Sequence, residues 1–282
     1  MADKLKKERV DVLAVQQGLA DTREKAKRMI MAGLVYDDKN QRYDKPGEKI
    51  NAETPLHTKG DGLKYVSRGG LKLEKALDVF QINMSGKILL DIGSSTGGFT
   101  DVALQNGASL SYALDVGSNQ LAWKLRQDPR VVVMEKTNFR YAKPEDFTQG
   151  RPDIATIDVS FISLNLILPV LADILKPEGD VVALIKPQFE AGKELVGKKG
   201  VIREKNIHIA VLAQVLDFVL KHGYHVTGLD YSPITGGDGN IEFLAHLTLA
   251  EQGSGKIQAG VPTPAQVVAL AHQALKRETH KK

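Results

Sequence analysis

Three charged residues stand at the ends of apolar segments in the second half of the chain. Asp158 and Lys186 each end a strand candidate, and Glu242 lies early in a third. Where strands alternate with helices, the carboxyl ends of neighbouring strands meet at one edge of the sheet, so the three side chains can converge. Buried lysines are rare, so Lys186 needs a charged partner or a catalytic role. Desolvation favours the neutral form of its amine, which could then act as a base. For each residue taken alone, a surface salt bridge is the alternative to a catalytic role. For Glu242 taken alone, the salt bridge is the favoured interpretation.

A glycine-rich turn follows the first strand candidate of the same region. Its residues are Asp91, Gly93, Ser94, Ser95, Thr96, Gly97, Gly98 and Phe99. Such a turn brings backbone N–H groups and a helix N-terminus close to a ligand. Its spacing fits neither the dinucleotide fingerprint nor the phosphate-binding loop. The acidic residue two positions before the first glycine suits a cationic ligand, and S-adenosylmethionine carries an ammonium and a sulfonium group.

Two polar residues at the ends of the next two strand candidates extend this predicted cofactor site. Asp115 could accept hydrogen bonds from both ribose hydroxyls of an adenosine, and the amide of Asn138 could meet the adenine edge. Taken alone, glycines are common in such turns, and an aspartate at a strand end is often only a helix cap. Together with the strand pattern described next, they indicate S-adenosylmethionine as the cofactor, with Asp158 at the same edge of the sheet.

Strands and helices alternate through the region that must position these side chains. The strand candidates are 87–92, 109–115, 131–136, 154–158 and 180–185, and long helices are predicted at 69–80 and 205–222. This alternation is typical of a doubly wound parallel sheet. Two further strand candidates, 224–231 and 240–249, have no room for a helix between them, so we predict that they are antiparallel. A Rossmann-like α/β sheet that ends in an antiparallel hairpin is the layout of class I methyltransferases.

The first 62 residues form a separate predicted domain of the α+β class. Apolar residues recur at helical spacing from Val10, and Gly18 can end that helix. Asp21 and Glu24 are predicted to form the capping box of a second helix. Short strand candidates follow at 34–36 and 49–50. The predicted organisation is therefore a small domain at 1–62, a linker at 63–69, a methyltransferase domain at 70–252 and a tail at 253–282 with a short helix from about Thr263.

Composition excludes several classes of function. The 282 residues include no cysteine, which excludes disulfides, thiolate metal sites and a cysteine nucleophile. No spacing of histidines and carboxylates indicates a metal. No apolar run approaches the roughly 18 residues that span a bilayer, and the charged N-terminus does not resemble a signal peptide, so a cytoplasmic protein is expected. The net charge of +4 weakly favours an anionic partner.

Five motifs of the chain occur together in one known family. They are Ser67-Arg68-Gly69-Gly70-Leu71-Lys72-Leu73, the glycine turn, Asp158-Val159-Ser160-Phe161-Ile162-Ser163-Leu164, Lys186-Pro187-Gln188-Phe189-Glu190 and Gly239-Asn240-Ile241-Glu242. From Arg9 to about Leu249 the chain resembles the TlyA family, whose members are called hemolysins and also ribosomal RNA 2′-O-methyltransferases. The resemblance implies an S-four-like RNA-binding domain joined to an FtsJ-like methyltransferase domain. It also implies S-adenosylmethionine as cofactor and ribosomal RNA or a ribosomal subunit as partner.

The resemblance also implies roles for individual residues. A Lys-Asp-Lys-Glu tetrad falls on Lys72, Asp158, Lys186 and Glu242, and Lys72 is assigned by the resemblance alone. The implied reaction is attack of a ribose 2′-oxygen on a methyl carbon, with Lys186 as base or oxyanion stabiliser. No Asn-Pro-Pro-aromatic box follows Asp158, which disfavours methylation of an exocyclic base amine. Phosphate contacts are expected in and near the small domain, where a solvated charged helix is the alternative; the candidates are Arg9, Arg23, Lys27, Arg28 and Arg68.

Two rival functions belong to other classes. A membrane-active hemolysin agrees with one name of the family, but the sequence has no spanning segment and no long helix with a strong apolar face. A non-catalytic RNA- or ribosome-binding factor would keep the methyltransferase scaffold, but the intact tetrad disfavours it. The modified nucleotide, the ribosomal subunit and the oligomeric state are left open by the sequence.

Overall fold

The structure is a computed structural model that describes residues 7–38, 41–58, 64–196, 200–251 and 253–279. These residues fall into two structural units that divide between Arg68 and Gly69, here called unit 1 and unit 2. Within the described ranges, no helix has the length and hydropathy needed to cross a membrane.

Unit 1 is a small α+β unit around one apolar core. Its elements are β1 (Lys7–Arg9), α1 (Val10–Gln16), α2 (Arg23–Met31), β2 (Val35–Asp37), β3 (Arg42–Tyr43), β4 (Lys49–Asn51) and β5 (Leu56–Thr58). Strand β1 pairs antiparallel with β4, and β2 pairs antiparallel with both β3 and β5. The core side chains Val10 and Leu13 of α1 pack with Ala26 and Ile30 of α2, because the four residues lie on the facing stripes of the two helices.

The predicted capping box of α2 is wrong by one residue. The N-cap is Thr22, whose backbone is extended and whose hydroxyl accepts a hydrogen bond from the backbone N–H of Lys25 at 3.2 Å. Asp21 lies one position too early for that bond and instead pairs with the Lys25 ammonium at 2.8 Å. Glu24 pairs with Lys27. Both residue types cap helices well, so the sequence pattern alone could not separate the two registers.

Unit 2 contains a seven-stranded mixed sheet with helices on both faces. Its strands are β6 (Ile88–Ile92), β7 (Leu110–Leu114), β8 (Val131–Met134), β9 (Ile154–Ile157), β10 (Asp180–Ile185), β11 (Tyr224–Tyr231) and β12 (Phe243–Leu249). Its helices are α3 (Gly70–Val79), α4 (Gly98–Gln105), α5 (Trp123–Arg126), α6 (Leu168–Ile174), α7 (Pro187–Glu190), α8 (Lys205–Lys221) and α9 (Pro264–Thr279). Every residue of the central strand β9 is buried, as expected of a strand that helices cover on both faces.

The strand order is β11-β12-β10-β9-β6-β7-β8. The five strands β6 to β10 are parallel to their neighbours in this group, whereas β12 runs antiparallel to both β10 and β11. The predicted parallel sheet with a terminal antiparallel hairpin is therefore confirmed. Because β9, β10 and β12 are adjacent, the residues that follow the first two and precede the third share one edge of the sheet.

Strand β12 begins three residues later than predicted. Asn240 is buried, and its side-chain amide donates to the carbonyl of Gly200 at 2.9 Å and accepts from the N–H of Ile202 at 3.0 Å. Asn240 thus binds a distant loop, and Glu242, which comes directly before β12, accepts at its backbone carbonyl from the N–H of Ser232 at 2.8 Å.

The helix predicted in the tail exists and is longer than expected. It follows Thr263, whose hydroxyl accepts from the N–H of Gln266 at 3.3 Å, while the Gln266 side chain accepts from the N–H of Thr263 at 2.8 Å. Helix α9 packs against α8 and β11. Val268 and Ala271 of this helix belong to the main apolar core, so α9 is part of unit 2.

Candidate active site

Two lysines and two carboxylates meet at the edge of the sheet where β9, β10 and β12 adjoin. The Lys186 Nζ lies 2.5 Å from Asp158 Oδ1, and the Lys72 Nζ lies 3.1 Å from Asp158 Oδ2. Lys72 also lies 2.7 Å from Glu242 Oε2. The structure therefore brings together all four residues of the expected tetrad, in the order Lys186–Asp158–Lys72–Glu242.

Three members of the tetrad are buried, Asp158 is half-buried, and the two lysines balance the charge of the two carboxylates. Lys72 is 8% exposed, Lys186 7% and Glu242 3%. Burial acts to lower the pKa of Lys72, but the charges of Asp158 and Glu242 outweigh it and hold that pKa above its usual value. Burial acts to raise the pKa of Asp158, but Lys72 and Lys186 outweigh it and hold that pKa below its usual value. The paired charges therefore keep Lys72 and Asp158 ionised at neutral pH.

Lys72 is the member that reasoning from the residues missed. It lies in the first turn of α3, on the side that also buries Leu73 and Ala76. A lysine on the apolar stripe of a helix was the available signal, because such a position normally carries a hydrophobic residue. Its partners lie 86 and 170 residues away in the chain, so no local pattern reveals them.

A cavity of about 790 Å³ opens beside the tetrad. Five predicted cofactor residues line it, namely Gly93, Ser95, Asp115, Asn138 and Asp158. Apolar walls come from Ile92 and Leu114 at the ends of β6 and β7, together with Val116, Phe139 and Ile167. Its volume lies within the usual range for small-molecule sites, which are mostly apolar with a few placed polar groups.

The carboxylate of Asp115 is fixed at the wall of this cavity. Its Oδ2 accepts from the N–H of Ser95 at 2.8 Å, and its Oδ1 accepts from the N–H of Gly117 at 2.7 Å. A carboxylate has about four acceptor positions, so each oxygen can still accept a ligand hydroxyl. Asn138 uses its side-chain oxygen to accept from the N–H of Arg140 at 3.2 Å, which leaves its amide NH₂ for a ligand. This donor and acceptor set fits an adenosine.

The other predicted cofactor residues do not line the cavity. They are Asp91, Ser94, Thr96, Gly97, Gly98 and Phe99. The Asp91 carboxylate is buried and accepts from the hydroxyls of Thr100 and Thr156 at 2.8 and 3.0 Å. Burial raises the pKa of Asp91 to about 6, against the lowering effect of these hydrogen bonds. Asp91 therefore ties β6 to α4 and β9, and the structure gives it no direct path to a ligand in the cavity.

Gly93 and Gly97 of the turn are required for different structural reasons. Gly93 has a φ of +85°, and a Cβ there would lie 2.6 Å from the carbonyl oxygen of Asp158. The absent side chain thus lets the turn approach the strand end that carries the tetrad. Gly97 has a φ of +94°, and a Cβ there would collide with Leu121 and Leu125. A substitution at Gly97 consequently tests packing before it tests ligand binding.

Ser160 connects the tetrad to the cavity. It lines the cavity, and its hydroxyl accepts a hydrogen bond from the Lys186 ammonium at 3.3 Å. Beside it, Phe161 and Phe189 form an aromatic pair at the rim, with ring centroids 4.9 Å apart. Among the residues that the structure describes, no cluster of three histidines or carboxylates could hold a metal ion.

Four of the five cationic residues expected to contact phosphate pair with carboxylates of unit 1. Asp11 is buried and pairs with Arg9 at 2.9 Å and with Arg23 at 3.0 Å. The hydrogen bond from Arg9, followed by that from Arg23, lowers the pKa of Asp11 to about 2. Lys27 pairs with Glu24, and Arg68 lies 3.3 Å from Asp44. Arg28 is exposed on α2.

The sheet order, the glycine turn and the carboxylate after β7 define an α/β methyltransferase fold. The sequence model of FtsJ-like methyltransferases matches residues 65–249, and that of the S4 domain matches residues 8–54. The chain belongs to the FtsJ-like methyltransferases and, within them, to the family of TlyA. Membership makes S-adenosylmethionine its cofactor, in agreement with the cavity described above.

Individual relatives cover most of the chain. YqxC of Bacillus subtilis, named as a candidate rRNA methyltransferase, is 62% identical over 97% of both chains. TlyA of Mycobacterium tuberculosis, named as a 16S/23S rRNA (cytidine-2′-O)-methyltransferase, is 42% identical over 85% of this chain and 89% of its own. The solved structure of a hemolysin-like protein from Streptococcus thermophilus has 59% identity and a TM-score of 0.78, over 98% of this chain and 99% of that one.

Proposed function

We propose that this protein transfers a methyl group from S-adenosylmethionine to a ribose 2′-hydroxyl of ribosomal RNA. The observation that carries the proposal is the ion-paired tetrad of Lys72, Asp158, Lys186 and Glu242 beside a cavity that fits the cofactor. A hydroxyl is a poor nucleophile at neutral pH, so its methylation needs a group that takes or stabilises charge on oxygen. The name of the relative from Mycobacterium tuberculosis supports a ribose 2′-oxygen of ribosomal RNA as the acceptor.

The cofactor would be held by the cavity residues. When bound, S-adenosylmethionine supplies an electrophilic methyl group on a sulfonium. Asp115 would bind the ribose hydroxyls, Asn138 the adenine edge, and Gly93 and Ser95 would present the turn backbone. The apolar walls would exclude water from the reacting groups.

Lys186 is the proposed catalytic residue. As an amine it accepts the proton of the attacking hydroxyl, and as an ammonium it stabilises the developing oxyanion. Asp158 fixes one face of the Lys186 nitrogen at 2.5 Å. Lys72, held between Asp158 and Glu242, would position the acceptor ribose. Positioning of this kind can contribute a large part of the rate enhancement.

Ser160 is the proposed positioning residue for Lys186. A neutral lysine amine has two N–H bonds and one lone pair. If one N–H points to Asp158 and the other to Ser160, the lone pair must take the remaining direction. That direction is the one open to the ribose hydroxyl that receives the methyl group. Without the Ser160 hydroxyl the amine can rotate about its terminal bond, so the lone pair is no longer fixed.

Unit 1 would bind RNA through cations whose orientation is already set. Asp11 holds the guanidinium groups of Arg9 and Arg23 in place, and the N–H groups that it does not use can contact phosphate. Arg28 adds an exposed charge on the same helix as Arg23, and Lys27 and Arg68 are the further candidates. The match to the S4 domain supports this assignment. With ribosomal RNA as substrate, the proposed site of action is the cytoplasm.

The test is transfer of a labelled methyl group to purified ribosomal subunits that lack 2′-O-methylation. The RNA is digested to nucleosides, and the label should co-migrate with a 2′-O-methylated nucleoside in reactions with the wild type. Label in a base-methylated nucleoside would overturn the ribose assignment, and no label at all would favour a non-catalytic binding factor. The same preparation applied to dye-loaded liposomes tests the hemolysin alternative, since dye release would support it.

A further inference from the structure

A second cavity, of about 630 Å³, adjoins the cofactor cavity. Arg140 lines both, so the two cavities lie next to each other at that residue. The second cavity is a surface groove, here called the Arg140 groove, and its other lining residues are Tyr141, Ala142, Lys143, Pro144, Val170 and Asp173. Nothing in the proposed mechanism uses this groove.

The wall of the groove is a rigid segment that presents an exposed aromatic ring. Residues Phe139–Tyr141 form a 3-10 helix capped by the side chain of Asn138 and anchored by the buried Phe139. The N–H of Lys143 donates to Asp146 Oδ2 at 2.8 Å, which fixes the following turn. Tyr141 is nevertheless 73% exposed. The segment therefore holds a tyrosine face toward solvent at little further entropic cost on binding.

The charges around this ring favour one class of ligand. The Arg140 guanidinium lies 5.5 Å from the centre of the Tyr141 ring, and Lys143 lines the same groove. An aromatic face flanked by two cations suits a nucleotide, because a base can stack on the ring while its phosphate meets the cations. Asp173 is the one carboxylate of the lining, and it suits an exocyclic base amine and disfavours a bare phosphate.

We propose that the Arg140 groove binds an unpaired nucleotide of the RNA substrate that neighbours the nucleotide being methylated. The proposal rests on the proposed function, since it takes RNA as the substrate of the adjoining site. The shared residue Arg140 places the groove beside the cavity that the methyl donor fills, so a nucleotide that flanks the target can reach it. Only an unpaired nucleotide can stack its base on Tyr141, so the groove selects single-stranded RNA next to the target.

The experiment compares Tyr141→Ala with two matched variants. Tyr141→Phe keeps the ring, and Trp123→Ala removes another exposed aromatic of unit 2, 64% exposed, that lines neither cavity. The probes are unmodified ribosomal subunits in the methylation assay and a fluorescent single-stranded RNA 12-mer in a binding assay. Tyr141→Ala should raise the KM for subunits and the Kd for the 12-mer about 5- to 150-fold, the range for loss of one stacked base. Tyr141→Phe and Trp123→Ala should stay within about twofold of the wild type.

A separate variant tests the phosphate contact. Lys143→Ala should reduce the log–log salt slope of 12-mer binding by roughly 0.7, the value for one phosphate contact to a single strand. The Kd for S-adenosylmethionine should not change in any of these variants.

Failure of the groove and failure of the proposed function give different results. If Tyr141→Ala methylates ribose with the wild-type KM, the groove proposal is overturned and the proposed function stands. If Tyr141→Ala and Trp123→Ala lose RNA affinity equally, the effect is nonspecific and the groove is again overturned. If only Tyr141→Ala loses RNA affinity while the wild type methylates no ribose, the groove stands as an RNA site and the proposed function fails.

Discussion

The buried ion pair between Lys72 and Glu242 gives a sharp test of the tetrad as the structure presents it. Its two charged atoms lie 2.7 Å apart, and both residues are buried. At an effective dielectric constant of about 20, this separation corresponds to a gross attraction of about 6 kcal/mol. Desolvation of the two ions offsets much of that attraction, so removing both partners should cost far less than removing one.

The perturbation is a double-mutant cycle of Lys72→Met, Glu242→Gln and the two combined. Each single variant should lower the free energy of unfolding of unit 2 by about 3–5 kcal/mol, because it leaves a buried charge without its partner. Glu242→Gln should lie at the lower end, since Lys72 still has Asp158 at 3.1 Å. The double variant should lose less than the sum of the two, with a coupling energy of about 2 kcal/mol or more.

The assay is urea denaturation followed by far-ultraviolet circular dichroism. Both residues belong to unit 2, and each variant is compared with the wild type under the same conditions. The matched control is the exposed pair of Lys221 and Asp217 on α8, 2.6 Å apart, for which the same cycle should give a coupling energy of about 0.5 kcal/mol or less. The losses of unfolding free energy for the two single variants could instead be additive, or their coupling energy could be no larger than that of the control pair. Either result would refute the charge coupling between Lys72 and Glu242.

Four further predictions concern catalysis, cofactor binding and pH. Lys186→Ala should lower kcat by about 100-fold or more with an unchanged Kd for S-adenosylmethionine, measured by single-turnover kinetics and calorimetry; a parallel loss of both would make Lys186 a binding residue. Ser160→Ala should lower kcat about tenfold at constant KM and Ser160→Thr should restore it, and equal losses in both variants would point to a merely structural role. Asp115→Ala should weaken cofactor binding by about 10-fold or more in calorimetry, as expected for lost charge-assisted hydrogen bonds, and an unchanged Kd would remove Asp115 from the site. Because burial raises the pKa of Asp91 from 3.8 to about 6, its contribution to stability is present below pH 4 and is lost as the pH rises from about 4 to 6; Asp91→Asn should flatten the pH dependence of stability in that window, and an unchanged slope would refute the raised pKa.

The sheet and the strand-end residues were predictable because the signals are local. Apolar runs bounded by turn residues predicted the seven strands of unit 2, and the missing room for a helix predicted the hairpin of β11 and β12. Asp158 and Lys186 directly follow buried strands, so their meeting at one edge follows from the parallel order of β9 and β10.

The remaining features depend on contacts between distant segments. The acidic residue Asp91 stands at the expected spacing before Gly93, yet Thr100 and Thr156 bind its carboxylate inside the sheet. Lys72 becomes part of the site only because α3 packs beside the strand ends, and α9 joins the core only through its contacts with α8 and β11. Spacing along the chain specifies residue types, but the direction of each side chain is set by packing.

Ribose 2′-O-methylation by this protein is tested most directly by alkaline hydrolysis of ribosomal RNA, which maps 2′-O-methyl groups. Unmodified subunits are incubated with S-adenosylmethionine and either the wild type or Lys186→Ala, and the extracted RNA is cleaved and read by primer extension. A 2′-O-methyl group blocks cleavage at its own nucleotide, because the 2′-oxygen can no longer attack the phosphate. We expect a protected nucleotide with the wild type and its loss with Lys186→Ala at equal protein concentration. Full cleavage at every position with the wild type, or equal protection by Lys186→Ala, would contradict it.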